Sequence, residues 1–326
     1  MDFQVKILLL SFAITVIESI IIIPILRRLK VGQTERIDGP QSHIVKEGTP
    51  TMGGIIIMIS VILTSACGFL YYYNKGDTEV AMRIFPLVLM ALGFGTVGFI
   101  DDFKKVVLRN TEGLKPAYKM LGLLLVSVLS VYYMLEVLDL GTATYIPFFK
   151  TYIELPTWIY IPFAIFVILG TTNAINLTDG IDGLATSVTA IIMTFLTVIS
   201  IIFDIKEVTV FGSVVVGTCL GFLLFNLHTA KVIMGDTGSL LLGGVVSCIA
   251  LYFRMPIILI IIAIVPIIET VSVLLQVLYY RKTGRRIFKM TPIHHHFELC
   301  NWKENKIVSI FSIVTLVACI IALYAV

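Results

Sequence analysis

Charge is what this 326-residue chain has least of: 14% of its residues are Asp, Glu, Lys or Arg, where a soluble domain has about 25%. Apolar residues make up 58%, against the usual ~45–50%, and the mean hydropathy is +0.98. Too few charged groups remain to cover a soluble surface, which excludes a soluble enzyme. An excess of one sign is missing as well: 24 basic and 21 acidic residues leave a net charge of +3, too little to argue for nucleic acid. Cysteine is sparse. Cys67, Cys219, Cys248, Cys300 and Cys319 have no Cys-x-x-Cys spacing and mostly lie within apolar runs. They read as small core residues, not as a disulfide framework or a zinc site. The ten-residue alternating strands of a transmembrane barrel are also absent.

Long hydrophobic runs are what the chain has instead. Ten of them read as membrane-spanning helices, at roughly 3–26, 53–73, 84–100, 118–138, 157–175, 184–203, 208–226, 238–253, 256–279 and 306–325, each near the length needed to cross a bilayer. The expected fold is an all-α polytopic membrane protein, one integral-membrane domain over 1–326. The first run could pass for a signal peptide. It is about 24 residues long, has no small-residue cleavage site and ends in Arg27-Arg28, so it reads as a retained span. The segment from about 139 to 156, with Tyr145, Pro147 and Pro156, reads as a short excursion with a hairpin.

Ten spans put both termini on one side, and the basic residues say which. The loops after spans 1, 3, 5, 7 and 9 hold 18 of the 24 Lys and Arg residues, and the opposite side holds 6. Positive loops stay in the cytoplasm, so the termini are expected to be extracytoplasmic. The polar residues that a spanning bundle does not need gather on that same cytoplasmic side. They are Asp101-Asp102, the stretch from Asn173 through Asn176, Asp179, Gly180 and Asp182 to Gly183, Asn226 and His228 through Asp236 to Ser239, and His294-His295-His296 with Glu298. Ionisable groups near the membrane are expensive and usually functional.

Adjacent carboxylates such as Asp101 and Asp102 repel unless a cation or proton is shared, so a hard metal suits them. Mg²⁺ takes one or two carboxylates plus phosphate oxygens, and neighbouring lysines complete a site for a diphosphate. The alternative is that the pair simply ends a helix. Asp179 and Asp182 stand three apart beside Gly180 and Gly183, either in a turn that approaches a ligand or as helix caps. Asp236, among glycines, either caps span 8 or reaches a metal, the second only if it lies near Asp101 and Asp102. Three adjacent histidines cannot all face one ion on a regular helix, so phosphate binding suits them better than zinc, with plain interfacial residues as the alternative. Gly93-Phe-Gly95-Thr-Val-Gly98 matches a dinucleotide fingerprint but lies within span 3 and reads as a helix-packing face. Glu269 follows Pro266, a kink that could open a groove beside the site.

These motifs resemble the phospho-N-acetylmuramoyl-pentapeptide transferases, within the polyprenyl-phosphate N-acetylhexosamine-1-phosphate transferase superfamily. The resemblance runs from Lys46-Glu-Gly-Thr-Pro-Thr-Met-Gly-Gly54 through Asp101-Asp102-Phe-Lys-Lys105, Asn173 to Gly183 and Phe225 to Ser239, ending with Thr291 to Glu298. The HHHFE segment is the most discriminating. Thr229, Lys231 and Ile233 depart from the usual pattern; Ile233 stands where the family has an aromatic residue near the nucleoside, which leaves base stacking at that position open.

The resemblance implies transfer of phospho-MurNAc-pentapeptide from UDP-MurNAc-pentapeptide to undecaprenyl phosphate, giving lipid I and UMP, with Mg²⁺ as cofactor and no nucleic acid. It implies a bacterial plasma membrane, with a second copy of the chain as a candidate partner in a homodimer. Asp101, Asp102, Asp236 and His294 are then the catalytic candidates, with the metal on Asp236 aided by Asp101 and Asp102. Lys46, Asn173, Asn176, Asp179, Gly180 and Asp182 are expected near the uridine, and Lys105, Lys119, Asn226, His295 and His296 near phosphates and sugar. The lipid phosphate attacks the β-phosphorus directly, with Asp101 taking its proton, or a carboxylate such as Asp102 attacks first. A sister enzyme using UDP-GlcNAc is the nearest rival. A secondary transporter is the rival of another class, but its site would lie near the midplane and its halves would repeat.

Overall fold

The computed structural model describes residues 2–29, 48–106, 108 and 113–326. Among the described residues, ten helices are long and apolar enough to cross a membrane. They are α1 (Phe3–Arg28), α2 (Gly54–Asn74), α3 (Thr78–Val106), α4 (Pro116–Tyr132), α5 (Thr157–Thr178), α6 (Leu184–Ile202), α7 (Lys206–Asn226), α8 (Gly235–Tyr252), α10 (Ile264–Thr283) and α12 (Glu304–Ala325). Two short helices, α9 (Leu259–Ile262) and α11 (Ile293–Glu298), complete the set. A π-type turn, Tyr133–Val137, continues α4. Strands β1 (Ala143–Ile146) and β2 (Thr151–Glu154) pair antiparallel as the expected hairpin.

Burial grades the helices from centre to rim. In the most apolar stretch of α8, 89% of residues are buried, against 28% in α1, α4 and α10. Close approach at the centre depends on small residues, as it does in membrane bundles generally. A Cβ on Gly98 of α3 would collide with the carbonyl of Asp236 at the start of α8. The Gly93–Gly98 run is thus a packing face, as its place in an apolar helix implied. Polar side chains fasten α1 to its neighbours: Ser11 lies 2.8 Å from Thr218, Thr15 donates to Ser60 at 2.8 Å, and Ser60 donates to Glu18.

Three boundaries differ from the sequence reading in ways that matter for the site. Helix α3 runs six residues past the expected end of span 3, so Asp101 and Asp102 lie inside a helix, 2% and 4% exposed. They do not end the helix. Helix α8 starts at Gly235, three residues early, which places Asp236 in its first turn. The expected single span 256–279 is broken: a 3₁₀ turn (Pro256–Ile258), then α9, then Ala263 outside helical geometry, then α10. Pro266 explains the break, since its ring excludes the carbonyl of the residue four back, Ile262, and it has no N–H to donate.

With the chain passing back and forth ten times, the C-terminal ends of α3, α5, α7 and α10 and the N-terminal ends of α4, α6, α8 and α12 share one face. The other face holds both chain ends and the hairpin, whose Tyr145 hydroxyl donates to the Ala325 carbonyl at 3.0 Å. A partly buried clasp lies on that face: the Tyr252 hydroxyl donates to Glu207 at 2.5 Å, with the half-exposed Arg83 at 3.5 Å.

Candidate active site

Asp101, Asp102 and Asp236 each offer an oxygen, and these atoms lie within 4.8 Å of one another. Residues separated by more than 130 positions meet because α3 and α8 cross at Gly98. The three carboxylates are not equivalent. Asp102 accepts three hydrogen bonds from the start of α8, from the Asp236 N–H at 3.1 Å, the Thr237 N–H at 2.8 Å and the Thr237 hydroxyl at 2.6 Å. The first N–H groups of a helix have no partner within it, and α8 has no side-chain cap of its own. Asp102 therefore caps α8 from a different helix, and Asp236, sitting past the cap position, is left to face outward.

Asp236 is the hub. One oxygen accepts from Lys105 and Lys119, each at 2.9 Å, and the other from the Asn176 amide at 2.7 Å. Asn176 also donates to Ser239 at 2.8 Å. Lys105 reaches Asp101 on its own helix, whose other oxygen accepts the Leu114 N–H at 2.7 Å. Oxygen donors alone, packed this closely and balanced by two lysines, suit a hard divalent cation.

The turn between α5 and α6 lies beside this cluster. Asp179 follows the last residue of α5, and burial, with the negative charges of Asp236 and Asp102, pushes its carboxyl up to about 8. Gly183 precedes α6 as its N-cap residue with a φ of 76°. Asp182 belongs to a second group with His228 and Glu304; it accepts the Ala230 N–H at 3.1 Å, and His228 lies 3.3 Å away.

Phospho-N-acetylmuramoyl-pentapeptide-transferase signature 1 matches residues 46–58, and the model of glycosyl transferase family 4 matches residues 84–254. Among curated relatives, the phospho-N-acetylmuramoyl-pentapeptide-transferase of Acetivibrio thermocellus is 45% identical, covering 99% of this chain and 95% of its own. Those of Clostridium perfringens (strain 13 / Type A) and Caldanaerobacter subterraneus are 47% and 44% identical, each covering 97% of this chain and 96% of their own length. The chain belongs to the phospho-N-acetylmuramoyl-pentapeptide transferase family.

For a member of the transferase family, the remaining expected site residues fall into three places. Lys46 lies outside the described residues. Asn173 donates to the Leu169 carbonyl at 2.7 Å within its own helix. Asn226 is 3% exposed, and both ends of its amide serve the scaffold: Thr186 donates to it at 2.8 Å and it donates to the Val232 carbonyl at 3.0 Å. The three histidines point to three different partners. His294 is buried against Gly180 and Glu269, His295 lies 2.6 Å from Glu298, and His296 accepts the Lys289 N–H at 3.1 Å. Thr237, Ser239 and Glu304 escaped the sequence reading as site residues. Their signal was weak, because a hydroxyl or a lone glutamate at a helix start reads as an ordinary boundary residue.

Proposed function

We propose that the chain transfers phospho-MurNAc-pentapeptide from its UDP carrier to undecaprenyl phosphate, forming lipid I and releasing UMP, at the cytoplasmic face of a bacterial plasma membrane. The observation that carries this reading is the meeting of Asp101, Asp102 and Asp236 with Lys105 and Lys119 at one end of the bundle. A lipid phosphate can reach such a site from the bilayer and a soluble nucleotide from the water. The excess of Lys and Arg in the loops of that end supports a cytoplasmic placement.

Asp236 and Asp101 are the residues to hold Mg²⁺, with Asp102 fixing the backbone from which Asp236 projects. Mg²⁺ bound there would neutralise the diphosphate and the charge that develops on departing UMP. Lys105 and Lys119, which share one oxygen of Asp236, are placed to turn to the phosphate oxygens as substrate arrives. Asn176 holds the other oxygen of Asp236 in place. Catalysis of this kind is chiefly positioning and charge stabilisation.

Asp101 is the acceptor for the lipid phosphate's proton, a light task since a phosphate's second pKa is about 6. Direct attack is favoured over a phospho-enzyme on Asp102, because both Asp102 oxygens are already occupied by donors from α8. The end of α5 from Asn173, the turn that follows it to Asp182, and Lys46 serve the uridine. His295, His296 and the scaffold around Asn226 serve the phosphates and sugar.

The test is release of UMP from UDP-MurNAc-pentapeptide by the purified protein, with and without Mg²⁺ and undecaprenyl phosphate. Release should require both. Asp236→Ala should lower it by at least ~10²–10³-fold, the scale for loss of a preorganised electrostatic group, with unfolding temperature maintained. Near-normal turnover in that variant would remove Asp236 from the metal site, and turnover of UDP-GlcNAc in place of the pentapeptide nucleotide would move the chain to the sister branch.

A further inference from the structure

Glu269 and His294 are an acid and a base on the site's side of the molecule with no exposed side-chain surface. They come from separate elements. Glu269 lies in α10, six residues beyond the break that precedes it, and His294 lies in α11. The His294 Nδ1 atom is 3.1 Å from Glu269 Oε2, and the His294 backbone N–H donates to the same oxygen at 3.4 Å. Glu269 thus holds the backbone of His294 and lies within ion-pair distance of its ring, with no hydrogen bond formed at Nδ1. The other face of the ring rests on the α5–α6 turn, where a Cβ on Gly180 would collide with His294 Nε2. Burying two ionisable groups is costly unless they are held to a purpose. Neither is part of the carboxylate and lysine cluster.

We propose that Glu269 is a positioning residue for nucleotide binding, acting through His294 on the turn at Gly180. The imidazole is a rigid spacer between α10 and that turn. Its position is set by Glu269, which accepts the His294 backbone N–H and lies beside Nδ1. Moving the ring shifts Gly180, and with it the neighbouring Asp179 beside Asp236. Glycine is required at position 180 because the ring occupies the space a side chain would take. The rest of α10 has few anchors: Val265, Pro266, Glu269 and Ser272 are its buried residues, while Leu274, Leu275 and Leu278 are exposed. Helix α10 also packs directly on α5, and Glu269 adds a polar link from it through His294 to the turn.

This inference rests on the reading of the 173–182 segment as part of the nucleotide pocket, and calorimetric titration of full-length protein with UMP separates the two. Wild-type protein that binds no UMP would remove that reading of the turn. If wild type binds, Glu269→Ala should weaken UMP about tenfold and raise KM for the UDP substrate with kcat nearly unchanged, the size and pattern expected when a residue acts through another. Glu269→Gln, which keeps the size of the side chain and an oxygen to accept the His294 backbone N–H, should restore most of the affinity. In a His294→Ala background, Glu269→Ala should cost nothing more. Wild-type affinity in Glu269→Ala, failure of Gln to rescue, or fully additive losses would each overturn the proposal. Should Glu269→Ala fail to fold, Gly180→Ala provides a second reading: its loss of affinity should vanish when His294→Ala removes the ring, and additive losses there would overturn the proposal as well.

Discussion

Asp179 illustrates what single residues do at this site. Burial acts first, then the neighbouring charges of Asp236 and Asp102, and together they push its carboxyl from 3.8 up to about 8 although part of the residue reaches the surface. The metal-free folded chain thus keeps a proton that the unfolded chain has released, and ionising it costs the native state. Stability from this group is full below about 4 and falls as pH rises toward 8. Asp179→Asn should remove that slope, so that the midpoint of thermal unfolding of metal-free protein in detergent changes less between pH 5 and pH 8 than in wild type. An equal or steeper fall in the variant would assign the slope to another group. The adjacent pair Asp101-Asp102 was visible in the sequence, but the division of labour between them was not. That division depends on which carboxylate meets the start of α8, a helix 134 positions away in the chain.

Among elements, the start of α8 carries the most. Two of its unpaired N–H groups are satisfied by Asp102, and the Thr237 hydroxyl, fully buried, adds a third bond at 2.6 Å. Thr237→Val keeps the shape and deletes that donor. It should destabilise the protein by about 1–3 kcal/mol, the usual cost of leaving a charged buried acceptor short of a partner, and it should lower UMP release by loosening Asp236. Unaltered stability and turnover in the variant would show that the two backbone N–H groups suffice. The spans themselves were legible because a run of about twenty apolar residues has few alternatives in a bilayer. Helix ends were less so: α3 continues through Asp101 and Asp102 because internal partners replace water there. The break before α10 followed from Pro266, but its consequence, a buried Glu269 turned toward His294, needed the neighbouring helix.

At the scale of the whole molecule, ten passes separate a polar face from one that carries the Tyr252–Glu207–Arg83 clasp and the hairpin. The proposed orientation is testable by impermeant thiol labelling of single cysteines placed in a cysteine-free chain in intact cells. Arg285→Cys should label only after the membrane is opened and Phe149→Cys, in the exposed hairpin, should label from outside; the reverse pattern would invert the topology. The sequence by itself determined that the chain spans a membrane, how many times, and which residue types gather at one end, because hydrophobic length and charge placement act locally along the chain. Only the tertiary structure decided which of those residues share a site. Glycine-mediated crossing of α3 and α8 brings Asp101 and Asp102 to Asp236, and the break before α10 brings Glu269 to His294. Both depend on close packing between distant segments, which no local pattern encodes.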